Sequence, residues 1–156
     1  MAAWKNFSIW RGRLPHWRAE NVTYYVTFRH KRSLEDSERT ALVSRLLKCD
    51  GRKLDYAILC VLPEKTEMVF TVMDAASGGK YELSDAVEKA KAKAGKDIIK
   101  KSKERWPPFY FESYDRIIRD DEEYEQTWTL ILDGAAEAGM CDDPSEYEHL
   151  HVKGAP

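Results

Sequence analysis

The sequence contains no apolar run near the roughly 20 residues that a membrane-spanning helix requires, and its first residues hold no continuous apolar signal core. A cytoplasmic protein with no membrane partner is the expectation. Cysteine is scarce. Cys49, Cys60 and Cys141 are odd in number and lack metal-ligand spacing, which argues against a disulfide framework or a zinc site. Cys60 sits in an apolar stretch and reads as a buried thiol. Glycine and proline are too few for a collagen-like or low-complexity chain. The net charge is only −2, so the strongly basic balance of many nucleic-acid binders is missing as well.

What is present is a chain of 156 residues with 43% hydrophobic side chains, enough for one domain with a real core. Its charge is segregated. Residues 1–32 carry seven Lys or Arg against one acid, whereas residues 120–156 carry one base against eleven acids. A positive region of this kind can hold phosphates whatever the global sum. Alternatively, the acidic end folds over the basic parts and neutralises them.

Residues 1–20 mix bases with Trp4, Phe7, Trp10 and Trp17 without a clean period, and read as an extended basic and aromatic arm. "VTYYVTFRH" (22–30) is β-branched and aromatic, hence a strand. "SLEDSERTALVSRLLK" follows as an amphipathic helix with Ser33 or Asp36 as cap. Strands "KLDYAILCVL" and "EMVFTVM" meet around Pro63. In the second helix Leu83, Val87, Ala90, Ala94 and Ile98 form the apolar stripe, and Pro107 and Pro108 end it. Another face of that helix aligns Lys89, Lys93, Lys96, Lys100 and Lys103, which reads first as a solvated face. "FYFESYDRIIR" is a fourth strand. The third helix begins at "DDEEY", with acids where the macrodipole favours them, and Tyr124, Trp128, Ile131, Ala135 and Ala138 along its apolar side. The order β-α-β-β-α-β-α predicts an α+β, ferredoxin-like (split βαβ) fold: a four-stranded antiparallel sheet with helices on one face and an additional C-terminal helix. Residues 1–20 are then an arm, 21–141 the domain, and 142–156 an acidic tail. His149 and His151 lie in that tail and are weak evidence for a metal.

Four segments carry a resemblance: "RGRLPHWRAENVTYYVTFR" (11–29), the Pro63 hairpin, "FESYDRIIRDDEEYEQT" (111–127) and "AEAGM" (136–140). In this order and spacing, over roughly residues 10–145, the chain resembles the REP-associated tyrosine transposases of the HUH group. The resemblance implies recognition of imperfect palindromic DNA hairpins. It also implies a Pro-Asn-His-x-His strand that binds a divalent metal, and a helix tyrosine that attacks the scissile phosphate. With Pro63 as anchor, the asparagine position is Glu64 and the two histidine positions are Lys65 and Glu67. With "AGM" (138–140) as anchor, the tyrosine position is Leu130. The catalytic positions are thus substituted together, and no cofactor is expected because the ancestral metal site is lost.

Lys65 and Glu67 are two apart, so on a strand they share one face and can pair. What the resemblance leaves is DNA binding by Arg11, Arg13, His16, Arg18, Arg29, Arg116 and Arg119, with Lys100 and Lys103 as further phosphate contacts. Trp10 and Trp17 are candidates for stacking on unpaired bases, although burial is the simpler role for Trp17. The leading expectation is an inactive transposase-like protein that binds hairpin or single-stranded DNA. The alternative is a protein–protein adaptor whose partner meets the acidic C-terminal region. An active transposase or nuclease with a rebuilt site rests on Glu67 alone.

Overall fold

A computed structural model describes residues 4–12 and 14–154. The N-terminal segment is a β-ribbon rather than an extended arm. Strands β1 (Lys5–Arg11) and β2 (Pro15–Glu20) pair antiparallel as a separate two-stranded ribbon, with Trp10 opposite His16 and Ser8 opposite Arg18. The ribbon's alternation is inverted: His16 and Arg18 are buried, while Trp17 between them is exposed. A polar-in, aromatic-out strand has no conventional hydrophobic period.

The main sheet has five antiparallel strands: β3 (Thr23–Arg29), β4 (Leu54–Val61), β5 (Lys65–Val72), β6 (Tyr114–Ile118) and β7 (Leu150–Val152). Their spatial order is β6-β3-β5-β4-β7. The fourth expected strand is shorter than its apolar run, because residues 109–113 lie outside β6, with only an isolated bridge between Phe109 and His30. The fifth strand replaces part of the expected acidic tail. β7 adds to the free edge of β4, with Leu150 opposite Cys60, and the Tyr147 hydroxyl donates to the Val61 carbonyl at 2.6 Å. β4 and β5 turn tightly through Pro63 and Glu64, where the Leu62 N–H donates to the Lys65 carbonyl at 2.8 Å. Lys65, Thr66 and Glu67 therefore belong to β5 rather than to the hairpin tip.

Helix α1 (Asp36–Leu47) is capped by neither Ser33 nor Asp36. Its N-cap is Glu35, whose N–H donates to Glu38 at 2.8 Å. Helix α2 (Leu83–Ser102) buries the stripe read from the sequence. It stops before the prolines, with Lys103 left-handed at φ 64° and its N–H returned to the Ile99 carbonyl. Pro107 instead folds back onto α2 at Gly95, where a Cβ would lie 2.8 Å from its ring. Helix α3 (Asp121–Glu137) is capped by Asp120, which accepts from the Glu123 N–H at 2.8 Å. Gly139 ends it at φ 76°, and the Met140 N–H reaches the Ala135 carbonyl, so "AGM" is in this chain a helix stop.

The strand alternation sorts the core into two layers. Tyr24, Val26, Phe28, Met68 and Phe70 face α1 and α2, whereas Ile58, Cys60, Val69 and Ile118 face Ile131 and Ala135 of α3. Helices thus cover both faces, and the face that a bare ferredoxin-like sheet would leave open is partly closed by α3. Each fully buried leucine, such as Leu42 or Leu46, contributes about 1.5–3 kcal/mol of burial. Burial pushes the Cys60 thiol up to about 12, consistent with an inert core cysteine. Among the described residues, no helix is long and apolar enough to cross a membrane.

Candidate nucleic-acid interface

Lys65 and Glu67 lie on β5 just after the Pro63 turn, on the face of the sheet that α3 covers. Lys65 and Glu67 share a face of β5 as their spacing requires, and their side chains pair at 3.3 Å. Glu67 also accepts a hydrogen bond of 2.6 Å from the Tyr25 hydroxyl on the neighbouring strand. Burial first, and then this hydrogen bond, hold the Tyr25 phenol far above its ordinary pKa. The Arg116 guanidinium lies 5.0 Å from the centre of the Tyr25 ring, pairs with Glu123, and sits 3.4 Å from the Thr127 hydroxyl. Arg119 meets the other Glu123 oxygen at 3.0 Å. One acid in the first turn of α3 therefore holds both arginines of "YDRIIR". Leu130 is 64% exposed on α3 and offers only an alkyl chain.

The cations of the N-terminal ribbon are divided. Arg11 is exposed, and Arg13 lies outside the described residues. His16 and Arg18, expected to contact phosphates, are instead turned inward. His16 Nδ1 is 2.7 Å from Asp115, and Nε2 meets Glu112. Arg18 spans Asp115 at 2.7 Å, Glu82 at 2.6 Å and the Ser84 hydroxyl at 2.7 Å. Burial opposes the charge on His16, but the bonds to Glu112 and Asp115 outweigh it and raise the pKa. These groups fasten the ribbon to β6 and to the start of α2, so they are structural cations. Trp10, a candidate base-stacker, already has its face occupied, with Arg18 at 4.0 Å and the His16 ring stacked at 5.4 Å. Trp17 is exposed rather than buried and packs its edge on Phe7 at 5.4 Å.

The free cations lie elsewhere. Arg29, Lys100 and Lys103 are exposed and form no ion pair among the described residues. Lys89, Lys93, Lys96 and Lys100 project from one side of α2, while Lys103 lies just past its end. At its N-terminal end this row opens into a groove of about 190 Å³ between α1 and α2. Arg45, Lys48, Arg52, Lys53, Lys89 and Lys93 line the groove, and no carboxylate does. The sequence showed the row but not the groove, because the loop carrying Lys48, Arg52 and Lys53 meets α2 only in the tertiary structure.

The acidic block does not cover this surface. α3 packs on the opposite side of the sheet, and among the described residues no ion pair joins residues 120–156 to the α2 lysines. His149 and His151 are not in a loose tail. His149 is buried beside Thr40 (2.9 Å) and Arg39 (3.4 Å), and burial lowers its pKa. Asp36, Glu148 and His149 approach one another closely enough to share a cation, but the Arg39 guanidinium beside His149 opposes one.

Compared with known proteins, the chain matches no protein-family model and no curated protein. Among solved structures it is similar to a REP-associated tyrosine transposase bound to a REP hairpin. The similarity has a TM-score of 0.68, covers 90% of this chain and 82% of that one, and comes with 14% sequence identity. At that identity the likeness is one of fold: the chain shares the α+β architecture of a transposase.

Proposed function

We propose that the protein is a transposase-like DNA-binding protein on a ferredoxin-like scaffold, which holds hairpin or single-stranded DNA and does not cut it. The observation that carries DNA binding is the exposed lysine row of α2 opening into a groove lined by six bases and no acid. Phosphates are the natural counter-ions of such a surface. The neighbour's hairpin gives the reading its nucleic-acid class, and the order β6-β3-β5-β4 around α1 and α2 supports the ferredoxin-like assignment. The adaptor alternative, in which the DNA surface is lost or covered by the acidic C-terminus, is weakened because among the described residues no ion pair joins residues 120–156 to the α2 lysines.

Inactivity is supported by the donor set. A carboxylate such as Glu67 suits magnesium or manganese. Here it already accepts from Tyr25 and pairs with Lys65, whose ammonium repels a cation placed beside it. The residues present do not fit a divalent metal. Leu130 has no nucleophilic atom, and the Tyr25 phenol beside Glu67 is too hard to ionise to replace it.

The test is fluorescence anisotropy with a labelled hairpin carrying a single-stranded flank, at low and moderate salt, beside a matched duplex. Salt-sensitive binding that falls in a Lys89→Ala/Lys93→Ala/Lys100→Ala variant is the expected result. Absence of binding at low salt overturns the DNA reading. Incubation with magnesium or manganese should leave the hairpin intact on a denaturing gel, and a cleaved strand or covalent adduct overturns inactivity.

A further inference from the structure

Residues 106–111, "WPPFYF", were expected to run partly into a strand, but they form an anchored loop that exposes three rings. Trp106 is 66% exposed, Tyr110 53% and Phe111 87%. Such a display of aromatics on a surface is costly unless something covers it.

The loop is held rigid from several directions. Pro107 seats on Gly95 of α2. The Lys31 N–H donates to the Pro108 carbonyl at 2.7 Å, and the Tyr110 N–H donates to the Arg29 carbonyl at 3.1 Å. Phe109 turns inward and packs edge-on against Phe28 at 5.8 Å. The buried Lys91 ammonium binds the carbonyls of Tyr110 at 2.8 Å and Phe111 at 3.1 Å. With Phe109 pinned inside and the flanking carbonyls drawn to Lys91, the rings of Trp106, Tyr110 and Phe111 cannot collapse together into the core. They border a cleft of about 290 Å³.

The surrounding charge indicates what the rings meet. The Arg105 guanidinium lies 5.4 Å from the Trp106 ring centre and the Lys31 ammonium 5.8 Å from that of Tyr110. Glu88, the acid lining the cleft, is paired with Lys91 at 3.3 Å. Along the chain, the lysine row reaches this end of α2 through Lys100 and Lys103. Rings beside cations are the combination that binds single strands, with bases on the rings and phosphates on the cations. A duplex keeps its base faces stacked inside and offers the rings nothing comparable.

We propose that Trp106, Tyr110 and Phe111 form a stacking platform for the unpaired bases of a single strand whose phosphates follow Lys100, Lys103 and Arg105. The inference rests on the DNA-binding reading above and adds to it the place where unpaired bases dock.

The test compares a labelled thymidine-only oligonucleotide with a fully paired duplex, using the full chain and a Trp106→Ala/Phe111→Ala variant. Both rings are exposed, and an unchanged circular dichroism spectrum and urea midpoint verify that the variant folds. The variant should lose about tenfold or more in affinity for the oligonucleotide and change by less than about twofold on the duplex. A Trp106→Phe/Phe111→Tyr variant should restore the binding. Oligonucleotide affinity equal to that of the unaltered protein, or equal losses on both probes, overturns the platform while leaving the DNA-binding reading intact. If the unaltered protein binds neither probe, that reading falls and the platform with it.

Discussion

Arg18 in the N-terminal ribbon and Lys100 on α2 carry the same unit charge, yet one is folded between Asp115 and Glu82 and the other meets solvent. The ribbon presents His16 and Arg18 on a strand face that packs against Asp115 of β6, Glu112 just before it and Glu82 at the start of α2. A planar guanidinium there satisfies several carboxylate oxygens at once, which repays part of its desolvation. Along α2, residues four and three apart stand on one side of a helix whose opposite side is the core, and the nearby acid Asp97 is taken by Arg45 at 2.9 Å, so among the described residues these lysines form no ion pair. Equal charge thus becomes structural glue in one region and stays exposed to solvent in the other, depending on what the backbone places opposite it.

The most severe way to break this contrast is Asp115→Ala. It leaves His16 and Arg18 buried without a shared partner and should destabilise the fold by about 3–5 kcal/mol in urea denaturation. Loss of less than about 1 kcal/mol would show the cluster to be as dispensable as surface pairs are.

A milder perturbation uses pH. Because the folded pKa of His16 is raised, its contribution is complete below the unfolded value of about 6.5 and is lost as pH rises through the folded pKa. His30 and His149 work in the opposite sense, since burial lowers their pKa and their penalty grows as pH falls below about 6.5. The stability difference between the unaltered protein and His16→Gln should therefore shrink from pH 6 to pH 8. A difference that stays constant over this range would mean that the His16 charge is not what the acids hold.

The smallest stability effect is expected on the exposed side. Lys100→Ala/Lys103→Ala should change unfolding free energy by less than about 0.5 kcal/mol. The same variant should lower the salt dependence of DNA binding by about one unit of slope for each phosphate it no longer neutralises. Destabilisation comparable to that of Asp115→Ala would erase the distinction between the two regions.

Much of the scaffold was legible in the sequence because periodicity reports which side of an element is buried. The stripe from Leu83 to Ile98 and the alternation of Tyr24, Val26 and Phe28 are direct records of the core. The ribbon β1–β2 was not legible, since its buried face is His16 and Arg18 rather than apolar side chains. β7 was hidden by its brevity and its acidic surroundings. Of the candidate site, the pairing of Lys65 with Glu67 follows from their two-residue spacing on a strand, whereas the engagement of Glu67 by Tyr25 depends on register with β3. Residues 109–111, the aromatic end of the loop, read as part of a strand because their composition is that of one. Pro107 on Gly95 and Lys91 on the loop carbonyls, both distant in sequence, hold them outside β6.

The sequence by itself determined the order of helices and strands, the lysine row and the absence of a nucleophile at Leu130, because these depend on residue identity and local spacing. The tertiary structure alone decided which cations remain available to a ligand. A side chain's charge is set by its chemistry, but whether that charge is neutralised depends on acids that only folding brings within reach.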